Sequence, residues 1–76
     1  MAYYLLLSGL MATHYRLVRP IAALDPKTKR ALTIPSGSFI EKIDLVSSVG
    51  LIDVRWGAQS VWVQFLDLIE RGESLG

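Results

Sequence analysis

A nucleophilic serine needs a base beside it and normally a third group to orient that base. The chain holds a single histidine, His14, and none of its serines sits in a Gly-x-Ser-x-Gly elbow. Ser36 belongs to a Pro35-Ser36-Gly37 stretch that turn chemistry alone accounts for, so a Ser36–His14 dyad is not expected. With no cysteine and one histidine, thiolate chemistry and a structural zinc site have no ligands. Asp44, Asp53 and Asp67 are far apart, and Gly37, Gly50 and Gly57 are isolated rather than grouped into a phosphate loop. The expectation is a protein that is not an enzyme and uses neither metal nor cofactor.

Charge says more than these residues do. Formal net charge is only +1, which by itself predicts no polyanionic partner, yet the charges are unevenly spread. Residues 1–30 carry Arg16, Arg19, Lys27, Lys29 and Arg30 against Asp25 alone, and the remainder is acidic. Lys27, Lys29 and Arg30 could touch phosphates, with Arg16 and Arg19 extending the patch. The same charges suit a solvated hairpin tip that discourages edge pairing, and no aromatic lies within the tip to stack a base. Trp62 offers a different surface. In the alternating run Ser60 to Phe65, Val61, Val63 and Phe65 point inward, which turns Trp62 outward with Ser60 and Gln64. An exposed tryptophan suits a protein contact, although it also suits covering one end of a small fold.

A chain of 76 residues makes one domain, and a composition 51% hydrophobic and 20% charged makes it a globular one. Residues 1–12 are uncharged. Their apolar run ends at Thr13-His14, short of the roughly 20 residues a membrane-spanning helix needs. No basic residue precedes Leu5, and Ser8-Gly9-Leu10 is a poor cleavage site, so a secretory signal is not expected. Two readings remain: an upstream extension before a start at Met11, or a strand or short helix over Tyr3 to Leu7 added to the main fold.

From residue 13 the pattern is extended. Thr13 to Leu24 reads as a strand with Tyr15, Leu17, Ile21 and Ala23 on one face; Arg19 breaks that face, and Pro20 marks an edge or bend. Asp25 to Arg30 is a turn, with Asp first and Pro26 presetting φ. Ala31 to Ile34 is a short strand, closed by a Pro35–Ser38 turn in which Gly37 supplies positive φ. Phe39 to Leu45 alternates with Phe39, Ile43 and Leu45 on one face and Lys42 and Asp44 on the other. Ile40 and Glu41 are out of phase with it, which calls for a bulge near them or a cover over Ile40. A loop over 46–50 leads to the clearest hairpin, Leu51 to Trp56 and Ser60 to Phe65 around a Gly57-Ala58-Gln59 turn. Asp67 to Arg71 forms a helical turn, and Gly72 suits its C-cap.

Four or five short strands with regular turns point to an all-β fold, a small antiparallel SH3-like barrel. A five-stranded oligonucleotide-binding barrel is second, since no segment supplies its helix between strands three and four. The barrel is expected over residues 13–73, with 74–76 as a tail.

Three stretches carry a resemblance: Leu32 to Glu41 with its Ile34-Pro35-x-Gly37 core, Gly50-Leu51-x-Asp53-Val54-x-Trp56, and Val61 to Glu73 with Asp67-Leu68-x-Glu70-Arg71-Gly72. Together they resemble short uncharacterised bacterial proteins with SH3-like barrels, over residues 31–73. The resemblance implies such a barrel in a bacterial cytoplasm and carries no catalytic residues. The leading expectation is therefore a binding or assembly module that meets a protein partner or a second copy through Trp62, Tyr15, Gln64 and the adjoining strand edge. Weak, sequence-independent nucleic-acid binding through Arg16, Arg19, Lys27, Lys29 and Arg30 is the alternative. A third reading has Tyr3 to Leu7 inserting at a membrane surface, though stable attachment usually takes two anchoring signals.

Overall fold

The computed structural model describes residues 13–45 and 50–76. The expectations for residues 1–12, including any membrane contact by Tyr3 to Leu7, and for positions 46–49 of the loop lie outside the described residues. Seven strands and one short helix follow in order: β1 (His14–Leu17), β2 (Ile21–Leu24), β3 (Ala31–Ile34), β4 (Phe39–Leu45), β5 (Leu51–Trp56), β6 (Gln59–Gln64), α1 (Phe65–Arg71) and β7 (Gly72–Ser74). All belong to one antiparallel sheet in the order β3-β2-β6-β5-β4-β1-β7. The fold is all-β, as expected, with its helix near the C-terminus. No helix among the described residues is long and apolar enough to cross a membrane.

The strand count exceeds four or five for two reasons. The run expected as one strand from Thr13 to Leu24 is two, because the chain bends at Val18-Arg19-Pro20. Pro20 has no N–H to give a ladder, so pairing lapses there. Neighbouring groups take up the polar atoms of the bend. The Val18 and Arg19 N–H groups donate to the Arg71 carbonyl at 2.8 and 3.4 Å. The Ser36 hydroxyl donates to the Val18 carbonyl, and the Arg71 guanidinium to that of Pro20. The second reason is β7, which runs from Gly72, expected only as a C-cap, into Ser74, the first residue of the expected tail. It pairs Tyr15 with Ser74 and Leu17 with Gly72, and the Leu75 N–H continues the contact to the His14 carbonyl at 2.8 Å.

The core is one cluster: Tyr15, Leu17, Ile21, Ala23, Ile34, Ile40, Ile52, Val54, Val61, Val63 and Leu68, with Leu32, Trp56 and Phe65 packed against it. The odd-numbered stripe of the first segment is buried throughout, and Arg19, the charged residue in its phase, falls on the bend and stays exposed. On β4 the expected face is reversed. Ile40 is 2% exposed and pairs with Tyr15, whereas Phe39 is 67% exposed and Ile43 also faces solvent. The register slips between Lys42 and Asp44, so the bulge lies at Ile43 and leaves Ile40 in phase with the core. Lys42 then lies opposite buried Val54 instead of on the outer face.

The helix starts two residues before the expected turn, at Phe65, with Asp67 in its first turn and Gln64 as an N-cap that makes no side-chain hydrogen bond. Leu68 is its buried anchor. At the other end Gly72 donates its N–H to the Leu68 carbonyl, and a Cβ built at Gly72 would lie 2.5 Å from that same oxygen. Glycine is required here by close approach to backbone, at an unexceptional φ of −111°. Gly72→Ala is expected to lower stability by about 1–3 kcal/mol, the usual cost of overpacking, read as a lower urea midpoint at unchanged slope.

Burial of the Tyr15 phenol raises its pKa above the ordinary 10.0, because the charged phenolate would lose its hydration. The raised value means that Tyr15 contributes its full stability below pH 10.0 and loses that contribution as pH rises through the folded-state pKa. A 13C NMR titration of the Tyr15 ring should give a midpoint above 10.0 in the native protein.

Candidate functional site

The outer face of the sheet divides into two regions. Over β5, β4, β1 and β7 it is a lattice of charged and ionisable side chains around exposed Phe39. Arg55, Glu41 and His14 stand side by side in register, with Glu41 3.4 Å from Arg55 and 3.7 Å from the His14 Nε2. In the next row Arg16 faces Glu73 at 2.8 Å. His14 Nδ1 also lies 2.9 Å from the Thr13 hydroxyl, while Ser36 donates to a backbone carbonyl at the bend. Each member of the dyad considered from sequence thus has a different, structural partner. No group of three His, Asp or Glu side chains able to hold a metal occurs among the described residues.

Over β2 and β6 the outer face is apolar at its centre. Leu24 and Trp62 pair directly, which is the one registered pair between these strands, and Asp53 of β5 flanks Trp62 on its other side. With a single pair holding them, β2 and β6 leave a notch of about 190 Å³ lined by residues that include Ala22, Leu24, Leu51, Trp62, Gln64 and Asp67. Trp62 is half-buried there and Gln64 exposed, both on the outward phase expected of them. Tyr15 does not join them. It is 1% exposed in the core, so it cannot form part of the contact surface; its odd-numbered phase points it inward.

The basic residues are sorted by the fold. Arg16 is committed to Glu73, and Arg19 occupies the bend. Lys27, Lys29 and Arg30 stay together on the β2–β3 turn, which Asp25 organises by accepting from the Lys27 N–H at 2.8 Å. Lys29 takes a positive φ of 61°, and its ammonium lies 4.8 Å from the centre of the Trp62 ring. The basic tip therefore does have an aromatic neighbour, one supplied from β6 and invisible to a search along the chain. Lys27, Lys29 and Arg30 form no ion pair with a carboxylate among the described residues.

No family model matches this chain, no curated protein matches it, and no solved structure matches it.

Two features escaped the sequence reading. A 300 Å³ depression lies between β4, β5 and the helix, lined by Lys42, Ile43, Asp44, Ile52 and Phe65, with the Lys42 ammonium 5.4 Å from the Phe65 ring. The phase break at Ile40-Glu41 was the available signal. The second is Asp53, which lies beside Trp62 and whose Oδ1 is shut from solvent without a hydrogen-bond partner among the described residues. Nothing in its sequence context marked it, since it reads as an ordinary outward strand residue.

The charge lattice is a surface feature, and its side chains are substantially exposed. Glu41→Gln is accordingly expected to cost no more than about 1 kcal/mol in urea unfolding, despite lying against both Arg55 and His14.

Proposed function

We propose that this chain is a non-enzymatic binding module on an SH3-like barrel, contacting a protein partner or a second copy of itself through the face around Trp62. Support for the barrel comes from the bend: β1 pairs with β4 and β7, β2 pairs with β3 and β6, and Val18 to Pro20 connects the two ladders. A sheet whose two ends are joined through one bent segment is the arrangement a small barrel uses to close on itself. Following the motif resemblance, the module belongs to a bacterial cytoplasm.

The observation that carries the contact is the placement of Trp62 on the outer face, half-buried against Leu24 and beside the notch at Leu51 and Gln64. A ring already held in one position loses little conformational freedom on binding, and aromatic anchors next to shallow depressions dominate many interfaces. The second reading, weak nucleic-acid binding, is favoured by Lys27, Lys29 and Arg30 lying together with Trp62 at 4.8 Å from Lys29. It combines phosphate-seeking charges with an aromatic ring, the usual requirements for holding single strands.

One pair of variants separates the two readings. Trp62→Ala should leave the circular dichroism spectrum folded and abolish partner capture or self-association, while reversing Lys27, Lys29 and Arg30 to glutamate should spare both. The nucleic-acid reading expects the reversal to abolish binding to a mixed-sequence single strand, with wild-type affinity falling steeply between low and moderate salt. A Trp62→Ala protein that retains its partner would sink the leading reading.

A further inference from the structure

The two edges of the sheet are unlike. At one edge β7 is three residues long and carries Glu73 in its ion pair with Arg16, both of which blunt an edge. At the other edge β3, Ala31-Leu32-Thr33-Ile34, has no charge, proline or bulge within it. Its pairing with β2 also has a definite phase. The Asp25 N–H donates to the Arg30 carbonyl at 2.9 Å and the Asp25 carbonyl accepts from the Lys29 N–H at 2.8 Å, so Asp25 faces Arg30 across a bulged hydrogen-bonded pair of the antiparallel ladder. Such pairs alternate, which assigns the next ones to Ala23–Leu32 and Ile21–Ile34. Ala31 and Thr33 therefore turn their N–H and C=O groups away from β2, toward the open edge.

We infer that β3 is a docking edge for an extended acidic peptide, which adds to the sheet as a further antiparallel strand. This rests on reading the chain as a protein-binding module, and it gives that module a second contact surface, distinct from the Trp62 face, with a partner of stated chemistry. Main-chain groups of Ala31 and Thr33 supply the hydrogen bonds. On the inner face Leu32 is half-buried beside buried Ile34, so an apolar side chain of the peptide completes its cover. Charge sets the direction. Lys27, Lys29 and Arg30 precede β3, and an antiparallel strand that passes Ala31 carries its C-terminal end on toward them. The acidic residues of the partner thus follow its paired segment instead of preceding it.

The probe is a fluorescent peptide alternating threonine and valine and ending in glutamates. One control carries the glutamates at its N-terminus, and another replaces them with lysines. The full chain should bind the first and prefer it to both controls, with amide exchange at Ala31 and Thr33 slowed in the complex. Thr33→Pro removes one outward N–H without touching a bond to β2, a substitution that edges tolerate. It should weaken binding about tenfold or more while the protein stays folded. Amide exchange reads the two surfaces separately: slowing at Ala31 and Thr33 reports the edge, and slowing at Trp62 and Gln64 reports the face proposed above. Wild-type affinity in a folded Thr33→Pro protein, equal binding of the lysine control, or protection confined to Trp62 and Gln64 would each overturn the proposal. So would sedimentation of the protein alone as a dimer that Thr33→Pro dissolves, which would assign the edge to a second copy.

Discussion

Twelve residues near the start of the described chain must serve two ladders at once, and the bend at Val18-Arg19-Pro20 is what lets them. On one side of it β1 lies between β4 and β7; on the other β2 lies between β3 and β6. A straight strand could not reach both sets of partners, and a flexible break would leave the bend's N–H and C=O groups to water. Instead the Arg71 carbonyl, the Arg71 guanidinium and the Ser36 hydroxyl take them up. The end of the helix and the β3–β4 turn are thereby fixed against the first segment. The Gly37 N–H and the Ser38 carbonyl add two further bonds to Leu17. Most of the remaining architecture follows from that junction: where the helix docks Leu68, where β7 begins, and which residues form the open edge.

The same junction explains why the candidate contact face has mixed character. Because β2 meets β6 at one registered pair only, the outer face between them opens at the notch, and the β2–β3 turn brings Lys29 over Trp62. A cation at this distance from an aromatic ring contributes roughly 0.5–1 kcal/mol at an exposed site. That is enough to bias the turn toward the ring and too little to hold it there against a ligand. Asp53 and Asp67 border the tryptophan on its other flanks, so apolar, cationic and anionic groups meet within a few residues.

Period-two patterning read most of the strands and most of the core correctly, because alternation is a local consequence of the pleat. Tyr15, Leu17, Ile21, Ala23, Val61 and Val63 were all legible as inward residues, as was the Asp25-Pro26 turn. The reading failed on β4. There Phe39 and Ile43 look like core by type, and one inserted residue reverses the phase. It also gave Tyr15 two incompatible roles, in the core and on the contact surface, and burial leaves only the first. For the candidate site, Trp62 and Gln64 were found from their phase, whereas Asp53 and the union of Lys29 with Trp62 were not.

Composition and alternation by themselves determined that this is an all-β protein, which positions turn, and which side chains the strands direct inward. Those properties depend on φ, ψ and side-chain type over a few neighbouring residues. Tertiary structure alone decided that Arg16 is spent on Glu73 while Lys27, Lys29 and Arg30 stay together. It also decided that a lysine and a tryptophan more than thirty positions apart share one surface, and that β3 and β7 become the edges. Register between distant strands is set by how the whole apolar face closes over its core, and no local window of the sequence contains that sum.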